Sequence, residues 1–114
     1  MPLSDTAIIL HREGMGVADE PLRKKLLSTY LALLIENNTL PGAICFYTDA
    51  VKLACEGSEF LETLAALEQK GVHLILCKTC LDSFGISDKV RVGIIGGMGD
   101  ILAAQTKAGK VITL

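Results

Sequence analysis

The residues best suited to chemistry are Cys77 and Cys80, a C-x-x-C pair in "LILCKTCLDSF" (74–84). A thiolate is a nucleophile, a metal ligand and a sulfur acceptor, so the pair admits redox work, metal binding or sulfur carriage. Two small residues at a buried strand end would look the same. The apolar run ends at Leu76, and a helix is expected within a residue or two. Cys80 then falls in or just before the first helical turn, where free backbone N–H groups and the positive end of the dipole stabilise a thiolate. Lys78 adds a nearby positive charge. Zinc usually takes four protein ligands, and only Cys55, His11 and His73 remain to supplement the pair. No metal is therefore expected, whereas the thiol and structural readings both stay open on spacing alone.

Other candidate motifs are weaker. Cys45 lies inside an apolar run and reads as a buried, inert small hydrophobe. "EGMGVADE" (13–20) lacks the third glycine of a dinucleotide fingerprint, so no nucleotide cofactor is expected. "GGMGD" (96–100) precedes a helix and could cradle an anion, but such glycines more often allow a tight turn. Met15 and Met98 on these loops suit an oligomer contact or the lining of an apolar cleft. No G-x-S-x-G elbow is present, and Asp49, Glu56, Asp82 and Asp100 show no spacing that pairs carboxylates for hydrolysis. Asp82 is expected to orient or cap the short helix after Cys80.

These residues must be positioned by alternating strands and helices. Strands are expected at 6–10, 42–47, 72–76, 90–95 and 110–114. Asp19 is the expected N-cap of a first helix, with Pro21 near its first turn and Leu22, Leu26, Leu27, Tyr30, Leu33 and Leu34 as its apolar stripe. A short helical turn is expected from Thr48 or Asp49, then a helix from Ser58 with Phe60, Leu61, Leu64 and Leu67 buried. Two helical turns follow Cys77 and stop at Gly85. A last helix should face Met98, Ile101 and Leu102 inward. Strands apolar on both faces, alternating with helices, define a parallel sheet covered on both sides. The expectation is a single α/β domain over 1–114, three-layer α/β/α, with a mostly parallel sheet of about five strands. Ligands of such sheets bind at the carboxyl ends of the strands, which collects Cys55, Cys77, Cys80, His11 and Arg12 at one edge.

Composition narrows the function classes. The chain has 114 residues, half of them apolar and only 4% aromatic, so its core must be aliphatic. A net charge of −2 gives no reason to expect nucleic acid or an anionic membrane as partner. The triplet Arg23-Lys24-Lys25 falls on the polar side of a helix and reads as a solvated face. No run reaches the roughly 18 apolar residues of a membrane span, and the N-terminal stretch lacks the basic region of a signal peptide. The expected location is the cytoplasm, where the four cysteines stay reduced.

The segment "GVHLILCKTCLDSFGISDKVRVG" (71–93) resembles the DsrE-like (DsrE/DsrF/DsrH) family, and most of all the DsrE-like domain of YedF-type sulfurtransferases. "VKLACEGSEFLETLAALEQKGV" (51–72) and the closing "KVITL" support the resemblance, which spans nearly the whole chain. It implies a DsrEFH-like α/β fold assembled into homo-oligomers. It also implies sulfur relay, with Cys80 at the position of the sulfur acceptor and Cys77 at that of its companion. Cys77 would then either release the sulfur by forming a disulfide with Cys80 or serve only structurally. The SirA/TusA-like domain usual in the YedF pattern is absent from these residues, so the implied donor or acceptor is a separate TusA-like carrier. The contrasting expectation is a non-catalytic subunit of an oligomer that binds a small molecule or partner, its thiols incidental.

Overall fold

A computed structural model describes residues 3–114; Met1 and Pro2, part of the N-terminal stretch discussed above, lie outside the described residues. Five strands form one sheet: β1 (Leu3–Leu10), β2 (Pro41–Phe46), β3 (His73–Cys77), β4 (Ile94–Gly96) and β5 (Lys110–Thr113). Every neighbouring pair is parallel, in the order β4-β3-β2-β1-β5. The helices are α1 (Glu20–Glu36), α2 (Leu61–Gln69), α3 (Lys78–Phe84) and α4 (Met98–Lys107), and a 3₁₀ segment spans Thr48–Ala54.

The strand order dictates the layers. From β1 to β4 each step moves to the next strand in one direction, so right-handed crossovers place the intervening helices on one face. The return from β4 to β5 runs the opposite way, which sends α4 to the other face, where it crosses β3, β2 and β1. The central strands β1, β2 and β3 are therefore covered on both sides. Ile8, Ile9, Leu10, Ile44, Phe46, Leu74 and Leu76 are all buried, as two covered faces require.

Several elements depart from the sequence pattern for identifiable reasons. In α1 the buried line is Leu27, Leu31 and Leu34, whereas Leu22, Leu26 and Leu33 are 45–50% exposed. The helix is apolar along two lines, and the sheet takes one of them. Helix α2 begins at Leu61 rather than Ser58, because the Ser58 hydroxyl accepts the Phe60 N–H at 3.0 Å and holds a turn first. In the fourth expected strand, residues 90–93 lie outside β4. Val90 instead bridges antiparallel to Cys55, and the Arg91 N–H donates to the Ala54 carbonyl at 2.9 Å. In the last helix Ile101 is buried, but Met98 and Leu102 are 55% and 57% exposed. Helix α4 rests on the sheet through a single fully buried residue.

Two glycines set close approaches that shape the carboxyl edge. A Cβ on Gly14 would meet the Arg23 backbone at 2.8 Å, so the loop after β1 presses onto α1 only because residue 14 has no side chain. A Cβ on Gly93 would collide with Leu76 and press on Leu74 Cβ at 3.1 Å, so its absence lets the chain enter β4 flush against β3.

Candidate functional site at the carboxyl edge

The site begins with the junction of β3 and α3. Cys77 is the last residue of β3 and also the residue before α3, so strand and helix meet with no loop between them. Cys77 is 1% exposed, as its inward place at a buried strand end demands, while Cys80 is partly exposed in the first turn of α3. Gly85 ends the helix as the sequence suggests. Leu81 is its one fully buried residue and fastens it to the core.

Three loops converge at Cys80. The backbone N–H of Thr48 points at the Cys80 sulfur, 3.0 Å from Sγ. The Thr48 hydroxyl lies 2.6 Å from the His11 carbonyl oxygen and 2.7 Å from that of Tyr47, and its single proton serves one of these two acceptors at a time. The rings of His11 and Tyr47 stack with centroids 6.2 Å apart. Further along, Lys52 places its ammonium 4.2 Å from the centre of the Phe84 ring and pairs with Asp49 at 3.1 Å. The ends of β1, β2 and β3 thus meet around one sulfur.

Charge at this sulfur comes from other sources than its sequence neighbours suggest. Lys78 pairs with Asp82 at 2.7 Å, so its charge is directed along the helix surface. Asp82 also accepts from the Ser87 hydroxyl at 2.7 Å, which ties α3 to the following turn and gives Asp82 a structural role. Burial pushes the Cys80 thiol above its ordinary value, the Thr48 N–H draws it down, and the adjacent Cys77 thiol raises it again. With only seven residues, α3 is a short dipole. The net direction is upward, so burial overrides the thiolate stabilisation expected at the helix start, and the Thr48 N–H is the group that opposes it.

The other sequence candidates are spread apart. The Cys55 thiol is buried and donates to the Val51 carbonyl at 3.3 Å. Beside it opens a cleft of about 390 Å³ lined by Glu13, Lys52, Cys55, Glu56, Ser58 and Lys89; Cys80 does not line it. His73 is exposed at the start of β3, the end of the strand opposite Cys77. Gly97 does precede a helix N-terminus, but its N–H is taken by the chain's own Asp100 carboxylate at 2.9 Å. Among the described residues, no three His, Cys, Asp or Glu side chains gather as a metal site. In the basic triplet, Lys24 pairs with Glu20 at 2.7 Å and Glu59 at 3.5 Å, as a solvated helix face does. No helix of the described residues is long and apolar enough to cross a membrane.

Cys45, buried inside β2, gives the fold a measurable alkaline weakness. Burial pushes its thiol up to about 11. In the unfolded chain the same thiol loses its proton near pH 9, so the folded state alone keeps it protonated between these values. Stability is therefore whole below that range and falls as pH rises through it, by on the order of 2–3 kcal/mol. Urea unfolding at pH 8 and pH 11 should show this loss, reduced in Cys45→Ala; an equal loss in that variant would contradict the assignment.

Fold and site together define a parallel α/β protein with a backbone-held thiol at the carboxyl edge of its sheet. The chain belongs to the DsrE/DsrF-like family, whose model matches residues 5–114. Three solved structures illustrate the likeness. YchN from E. coli is 27% identical, with 96% of this chain and 97% of that one covered and a TM-score of 0.69. MTH1491 from Methanobacterium thermoautotrophicum, a protein of unknown function, is 20% identical over 96% and 97% of the two chains, with a TM-score of 0.71. BT1422 from Bacteroides thetaiotaomicron, also of unknown function, is 18% identical over 100% and 98%, with a TM-score of 0.65. No curated protein matches the chain significantly.

Proposed function

We propose that the protein is a small cytoplasmic sulfur-relay protein in which Cys80 carries sulfane sulfur as a persulfide. The observation behind this reading is the Cys80 sulfur itself, partly exposed where three loops meet and held 3.0 Å from the Thr48 N–H. Membership in a family associated with sulfur relay supports it.

The chemistry is thiol–disulfide exchange in form. The Cys80 thiolate attacks the outer sulfur of a donor persulfide. A new S–S bond forms on Cys80, the donor's own S–S bond breaks, and the donor leaves as a thiolate with no net oxidation. Discharge repeats the step in reverse direction: an acceptor thiolate takes the outer sulfur and Cys80 leaves as thiolate. A separate TusA-like carrier fits either partner role. Cys77 supplies a second route, attack on the inner sulfur of the Cys80 persulfide, which releases hydrosulfide and leaves a Cys77–Cys80 disulfide for an external thiol to reduce. Its burial makes discharge to a partner the main path.

The protein also acts as a homo-oligomer in this reading. Ile94, Ile95, Met98 and Leu102 are each more than 40% exposed on β4 and the first turns of α4, apolar side chains at the sheet edge available for subunit contact. The contrasting role, a binding subunit with incidental thiols, draws on the cleft beside Cys55, which Cys80 does not line. Discharge separates the two. Protein first loaded with labelled sulfane sulfur from polysulfide and then freed of donor should pass the label to a TusA-like carrier thiol. Protein that takes up no label, or never yields it to a thiol, would refute the relay.

A further inference from the structure

We propose that Thr48 is a positioning residue, which aims its backbone N–H at the Cys80 sulfur and uses its own hydroxyl to hold that aim. The inference rests on Cys80 being the thiol that accepts and releases sulfur.

Thr48 has a φ of +51°, in the left-handed region. A β-branched residue is seldom found there, because its Cβ crowds the backbone. Asn, Asp or Gly would occupy such a position with less strain. The conformation persists because the surroundings fix it. The hydroxyl's one proton reaches the His11 carbonyl at 2.6 Å, with the carbonyl of the preceding Tyr47 at 2.7 Å as its alternative acceptor, and the first of these ties the start of the 3₁₀ segment to the end of β1. Downstream, Lys52 over Phe84 fastens the same segment to α3, one helical turn beyond Cys80. These two anchors bracket the N–H···S contact and leave the N–H directed at sulfur.

This geometry matters when charge sits on Cys80. In both halves of the relay the Cys80 sulfur is a thiolate at one end of the exchange, as attacker during loading and as leaving group during discharge. A pre-aimed N–H stabilises that charge without having to reorient, the role that backbone donors play toward oxyanions. The hydroxyl of Thr48 is engaged with backbone carbonyls. It acts through the backbone.

The test reads the pH profile of Cys80 alkylation by iodoacetamide, located by peptide mapping, in wild type, Thr48→Ser and Thr48→Gly. Glycine is at ease at this φ, so Thr48→Gly is expected to fold, keeping the N–H while losing the clamp and the backbone restriction that the side chain imposes. Its profile should move to higher pH, slowing alkylation at pH 7.5 by about three- to tenfold. Thr48→Ser keeps the hydroxyl and should stay within about twofold of wild type. An unmoved profile in Thr48→Gly, or a serine variant as slow as the glycine variant, would overturn the assignment. Alkylation needs no sulfur donor, so the two ideas fail separately. A moved profile in a protein that never loads sulfur refutes the relay alone, and an unmoved profile in one that loads normally refutes the role of Thr48 alone.

Discussion

Cys80→Ser is expected to lower sulfur loading from a persulfide donor by on the order of 100-fold or more, because an un-ionised hydroxyl cannot replace a thiolate as nucleophile. Cys77→Ala should retain most of the loading. Alanine suits the second site better than serine, since Cys77 is 1% exposed and a hydroxyl there would be buried without an assigned partner. The two cysteines are unequal because of where β3 stops. One thiol ends the strand facing the core, and the other, three residues on, emerges on the helix beside Thr48. Loading rates measured with cyanide-releasable sulfur as readout decide the matter. Equal loading of wild type and Cys80→Ser would remove Cys80 from the mechanism, and loss of loading in Cys77→Ala would make the pair a true dithiol.

Leu81→Ala should be the most damaging single change to the frame of the site. Leu81 is fully buried and is the one residue by which the seven-residue α3 is wholly sunk into the core. Truncation leaves a cavity that so short a helix cannot easily close, at a cost of about 2–5 kcal/mol. Because Cys80 is its immediate neighbour, the loss should also loosen the contact with Thr48. Urea unfolding should show the lower midpoint, and Cys80 alkylation should change its pH profile under conditions where the variant is still folded. An unfolding free energy within about 1 kcal/mol of wild type would mean that α3 is held chiefly by Asp82 and its partners.

How much of this could be read beforehand varies element by element. The strands at 6–10 and 42–47 were legible because a doubly covered parallel strand is apolar at every position, and the runs Ala7–Leu10 and Ile44–Phe46 have few other uses. Pro21 marked the start of α1, and Gly85 the end of α3, because those positions have their own steric demands, whereas Asp19 holds the N-cap position without a side-chain capping bond. The buried face of α1 is not legible, because its leucines form two lines and periodicity cannot tell which line the sheet takes. The fourth strand was misplaced because Val90 and Arg91 look like strand residues and do pair, but with the segment at Ala54–Glu56 instead of β3. That is a tertiary choice with no local signature.

The site divides in the same way. Cys77 and Cys80 announce themselves by residue type, and the strand-to-helix junction ranks them. Lys78 looked like an electrostatic helper, yet the nearby Asp82 claims its charge. Thr48 was visible only as the start of a helical turn. What it contributes to Cys80 is a backbone N–H, which every residue but proline has, aimed by a φ that threonine rarely adopts. No side-chain pattern can report such a group.

The most direct measurement is the location of sulfur on the wild-type protein. Reduced protein is incubated with inorganic polysulfide, freed of excess reagent, trapped with an alkylating agent and mapped by peptide mass spectrometry. The account predicts one added sulfur atom on Cys80, with Cys45 and Cys55 left as unmodified thiols. Added sulfur confined to another cysteine, or none on Cys80 under conditions that label small thiols, would contradict it.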